Sequence, residues 1–70
     1  MLYSYIIVPQ GGHEGQAFAA GNIEADNFAM ARGTAQTITA PAVVGKSGLE
    51  VILFGSGGAE IWRGPYVGPG

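Results

Sequence analysis

The chain has 70 residues, of which three are basic and five acidic, with 47% hydrophobic residues and no cysteine. That length fits one domain, burying about 60% of the surface its unfolded chain exposes, and the missing cysteines exclude disulfides and cysteine metal sites. One histidine and five scattered carboxylates argue against a structural zinc site. The three cations, Arg32, Lys46 and Arg63, stand too far apart in sequence for the basic stripe that phosphate contacts require.

Charged residues make up 11% of the chain, against about 25% in an ordinary soluble domain. Apolar runs such as Ile6–Pro9 and Val51–Phe54 are only four or five residues long, far below the roughly 20 that cross a bilayer. The first residues lack the basic start and apolar core of a signal peptide. A small domain without disulfide or metal staples usually gains stability from other chains, and little charge is present to keep copies apart. The composition therefore predicts a soluble homo-oligomer or assembly component, with neither nucleic acid nor membrane as partner.

"LYSYIIVP" predicts a strand. Leu2, Ser4, Ile6 and Val8 share one face, and Tyr3, Tyr5 and Ile7 share the other. Aromatic and β-branched residues dominate, as strands prefer, and Pro9 closes the run. "QGGHEGQAFAAGN" carries four glycines, each about 1 kcal/mol worse than alanine in a helix. It predicts a loop with a short extended piece at residues 16–20. Neither this segment nor "GSGGAE" matches a phosphate-binding glycine motif.

"IEADNFAMARG", residues 23–33, is open between two readings. Asn22 could cap a helix that has Glu24 and Asp26 in its first turn and stops at Gly33. The alternation from Asn27 to Arg32 also suits a strand, and the strand-like character of the residues after Gly33 favours the extended reading. In "TAQTITAPAVV", Thr34, Gln36, Ile38 and Ala40 alternate with Ala35, Thr37 and Thr39, which predicts a strand ending before Pro41. "GKSG" is a turn in which Gly48 suits a positive φ.

"LEVILF" and "AEIWRG" flank Gly55, Ser56, Gly57 and Gly58 and predict a β-hairpin with glycine at a left-handed position. Leu53 and Ile61 are its expected core pair, with Ile52 and Trp62 as the other register. The tail "GPYVGPG" places Pro65 and Pro69 around Tyr66. Two missing donors predict an extended arm over residues 65–70 that lies outside the domain's own sheet.

Catalytic chemistry is sparse, and the sequence predicts no catalytic, cofactor-binding or metal residue. His13–Glu14 lies in a glycine loop, where adjacent residues rarely hold acid–base geometry. "FGSGG" echoes a nucleophile elbow but precedes a strand, with no aspartate or histidine after it. Aromatic residues and arginine concentrate at interface hot spots, so Trp62, Arg63, Tyr66, Tyr3 and Tyr5 are the candidate interface residues. Trp62, Arg63 and Tyr66 could equally stack on a sugar ring.

The order "GTAQTITAPA" then "GLEVILFGSGGAEIWRG", residues 33–64, resembles small all-β virion proteins of tailed bacteriophages. That resemblance implies a head-decoration, cement or tail-associated subunit with no active site, located in the virion and bound to itself or to other virion proteins. The expectation is an all-β fold, a small sandwich or open barrel of four to five strands over residues 1–64, with a C-terminal arm at 65–70. The alternative is a small binding or inhibitory protein, such as a carbohydrate-binding module or a phage-encoded inhibitor of a host defence protein. Outside a virion, the expected location is the cytoplasm.

Overall fold

The computed structural model describes residues 1–68. Strand β1 runs over Leu2–Pro9, β2 over Ala19–Glu24, helix α1 over Phe28–Thr37, β3 over Leu49–Phe54 and β4 over Glu60–Pro65. The strands form one open antiparallel sheet in the order β2-β1-β3-β4. The expectation of a small all-β domain of four to five strands is met as a mostly β domain, with four strands in one open sheet and one short helix. The first strand in sequence lies inside the sheet, paired to β2 from Leu2↔Glu24 to Ile7↔Ala19 and to β3 from Ser4↔Phe54 to Pro9↔Leu49.

One face of the sheet is covered by α1 and holds the main core. Tyr3, Tyr5 and Ile7 of β1, Ile23 of β2, and Leu49, Val51 and Leu53 of β3 pack there against Ala31 and Ala35 of the helix. Two alanine methyl groups are all that α1 fully buries, so the large side chains come from the sheet.

The helix corrects the extended reading of residues 23–33 from Phe28 onward, and the strand read at 34–40, while Ile23 and Glu24 are extended as read. Its cap is Asn27, not Asn22: the Asn27 Oδ1 accepts the Met30 N–H at 3.0 Å, satisfying one of the free donors of the first turn. Gly33 lies inside the helix, where its carbonyl accepts the Thr37 hydroxyl at 2.9 Å. The chain leaves helical geometry at Ile38, three residues before Pro41. The apparent Thr/Gln/Ile alternation thus belongs to one helical turn and the loop after it. The segment at Asn22–Glu24 belongs instead to β2.

The β3–β4 hairpin forms as expected. Gly55 and Ala59 close the turn, and Gly58 takes φ 86°, a conformation that favours glycine. Gly48, with φ 67°, likewise fits its expected role. The register differs from the Leu53–Ile61 pair, because a bulge intervenes and Leu53 stands opposite Trp62. Leu53 is fully buried, whereas Ile61 is 45% exposed.

The C-terminal segment is part of the fold through Gly68, which corrects the reading of a separate arm. Pro65 is the last residue of β4. The Tyr66 N–H bonds to Leu49 O, placing the odd residues of β3 toward β4 and the missing Pro65 donor on the outer side, where an edge strand needs none. The Val67 and Gly68 N–H groups both reach Gln36 O, the Gln36 side-chain amide donates to Pro65 O at 3.1 Å, and the Tyr66 hydroxyl donates to Ile38 O. The remaining expectation, for Pro69, lies outside the described residues.

Candidate functional site

The five candidate interface residues do not form one patch. Tyr3 and Tyr5, 4% and 8% exposed, belong to the core beneath α1, so neither offers surface to a partner. Trp62 and Tyr66 are half-buried against the same core. A Cβ at position 64 would fall inside the Trp62 indole, so Gly64 is what lets that ring lie flat along β4. With one ring face on its own strand, Trp62 is not a free stacking platform.

Arg63 points to the other face. It lies opposite Ile52 in the register, and its Nε donates to Glu50 Oε1 at 3.0 Å while its guanidinium also reaches Gly12 O. The Gly11 N–H donates to the same Glu50 oxygen at 2.8 Å. This clasp fastens the loop between β1 and β2 over one end of the uncovered sheet face. Val8 and Ile52, the register neighbours of Glu50 and Arg63, are buried there. Lys46, 4.8 Å from the Phe18 ring centre, secures the far end of the same loop. Arg32 lies 5.7 Å from the Phe28 ring, so each of the three cations is engaged within the chain.

The Gly11 N–H, and after it Arg63, hold the Glu50 carboxyl below its ordinary pKa. A carboxylate with a depressed folded-state pKa stabilises the fold above its unfolded value and loses that contribution as pH falls through the folded value. Wild type and Glu50→Gln should therefore differ most in melting temperature at neutral pH and converge in acid. Circular dichroism melts stepped down through the carboxylate range measure this, and parallel curves would mean that the clasp contributes nothing to stability.

His13 caps the short 3-10 turn Glu14–Gln16, with its Nδ1 accepting the Gly15 N–H at 3.2 Å. Ser56 sits in the turn past the other end of β3, so the histidine and this serine lie at opposite ends of that strand. The structure thus keeps that histidine away from the "FGSGG" turn.

Two surfaces remain that sequence reasoning did not single out. The end of the uncovered face away from the clasp carries Leu2, exposed, with Ile6 and Phe54, half-exposed, beside Ala20 and Asn22. On the helix side, Met1, Phe28, Gly55, Ala59 and Ile61 line an open apolar groove between the start of α1 and the hairpin turn, with the buried Tyr3 at its floor. Parity along β1 was the available signal for the first surface, since Leu2, Ser4 and Ile6 share a side. Comparison with protein-family models, with curated proteins and with solved structures finds no match to this chain.

Proposed function

We propose that this chain is a non-enzymatic structural subunit of a larger assembly built from many copies. The observation that carries this reading is the amount of large apolar surface left outside on a chain of low charge. Leu2, Met30, Val44, Ile61 and Val67 are each 45% exposed or more. Single exposed apolar residues are ordinary, but here they accompany Phe18 and Phe28 on a domain only 30 × 26 × 17 Å across. Contiguous apolar exposure marks interaction surfaces, and Met1, Phe28 and Ile61 share one such groove.

A phage virion, as a decoration, cement or tail-associated protein, is the most concrete setting for such a subunit. It rests on the likeness of the β3–β4 hairpin, because the "QTITAP" segment of that likeness is the end of α1 and the loop beyond it. The binding-protein alternative is favoured by one feature, the apolar groove beside Phe28 and Ile61.

Sedimentation velocity over a wide concentration series tests the assembly reading. The average mass should rise with concentration, because association stabilises and populates the bound form by mass action. A species that stays at monomer mass throughout would overturn it.

A further inference from the structure

The two edges of the sheet are treated differently. On β4, a bulge interrupts pairing beside Leu53 and Phe54, Pro65 puts its missing donor outward, and the Gln36 side chain caps the Pro65 carbonyl. These are devices by which proteins blunt an edge strand. The β2 edge, Ala19–Glu24, has no proline, no lysine and no covering segment bonded to it among the described residues. The Ala25 N–H bonds to Met1 O across β1, so by antiparallel alternation Ala19, Gly21 and Ile23 point their backbone groups at β1. Ala20, Asn22 and Glu24 point theirs outward.

We infer that β2 is the contact between copies: two chains join their β2 strands antiparallel about a twofold axis at Asn22, merging their sheets into one of eight strands. This deepens the assembly reading and rests on it. The occupant is a second copy because the edge complements itself. With Asn22 opposite Asn22 of the second copy, Ala20 of each chain faces Glu24 of the other. Every outward N–H and C=O of the three residues then gains a partner, and the single charge of each strand, Glu24, is set away from its twin. On the helix side Gly21 opposes Ile23 of the second copy, a small residue against a large one. The Leu2, Ile6 and Phe54 surfaces of the two chains come to lie on one shared face.

Asn22→Asp tests the register with little change of shape. The Ser4 hydroxyl donates to Asn22 Oδ1 at 3.1 Å, and a carboxylate keeps that acceptor. It places two negative charges directly opposite each other, which destabilises a strand pair. The dissociation constant should rise severalfold, up to about fivefold, and mixing Asn22→Asp with Asn22→Lys chains should restore association by placing opposite charges across the axis. A mutant that associates as tightly as a self-associating wild type would overturn this contact while leaving the assembly reading intact. Wild type that is monomeric at every concentration would overturn both. Amide exchange on the unmodified protein gives a second readout: the Ala20, Asn22 and Glu24 N–H groups should become protected as concentration rises. Free exchange of all three in the associated state would also overturn the proposal.

Discussion

Replacing Leu53 with alanine should cost about 2–5 kcal/mol, the range for a fully buried leucine whose site cannot collapse. Leu53 lies between Tyr5 on β1 and Trp62 on β4 with no exposed surface. A domain of this size has about 5 kcal/mol of stability to lose, so about 0–3 kcal/mol should remain and the urea midpoint should fall by at least a third. Ile61→Ala, at an exposed position one residue from Trp62, should stay within about 0.5 kcal/mol of wild type. Urea titrations of the two variants decide the matter. Equal costs would mean that the bulge is absent and that Ile61, not Trp62, faces Leu53.

The second large effect is expected at Tyr66. Its ring packs on the core, its hydroxyl bonds to Ile38 O, and its own N–H continues the pairing with Leu49. Tyr66→Ala should cost about 2–3 kcal/mol, at or just below the range for fully buried aromatic side chains because the ring is half-buried. Tyr66→Phe isolates the hydrogen bond and should cost about 1 kcal/mol. Ending the chain at Gly64 removes the ring, the Pro65 carbonyl that Gln36 caps and the bonds to Gln36 together, and should abolish cooperative unfolding. A truncated protein with an unchanged urea midpoint would instead make the segment peripheral to stability.

What the sequence disclosed depended on how loudly each element advertises its packing. β1 was legible because β-branched and aromatic residues fill both its faces, and the β3–β4 hairpin because two apolar strands enclose a glycine turn. The helix was not. It buries only Ala31 and Ala35, and the Thr, Gln and Ile around them alternate as a strand would. The usable signals were Asn27 as an N-cap and the four-residue spacing of the two alanines, both too weak alone to outweigh the neighbouring β pattern.

For the candidate surface, Tyr3 and Tyr5 misled because a tyrosine serves equally as a core residue or as an interface anchor. Ser4 between them marks the wetter side of the strand, which places the rings inward. Pro65 misled for a different reason. Proline excludes a residue from the middle of a sheet but not from an outer edge, and the sequence does not say which strand is last. The openness of the β2 edge could not be read at all, since it depends on strand order.

That strand order also governs how the chain must reach its native state. β1 acquires β2 across a short loop, but its other partner begins about 40 residues further on. Closing a loop of that length costs about 3 kcal/mol of chain entropy before any β1–β3 contact compensates. Until then one side of "YSYIIV" stays unpaired, and so does the hairpin that will meet it. The arrival of β3 beside β1 should therefore be the rate-limiting event. Folding should be slow for so short a chain, in the millisecond-to-second regime of domains dominated by distant pairings. Substitutions that strengthen the β1–β3 seam should accelerate it, whereas changes in α1 that act after the seam has closed should alter only the rate of unfolding.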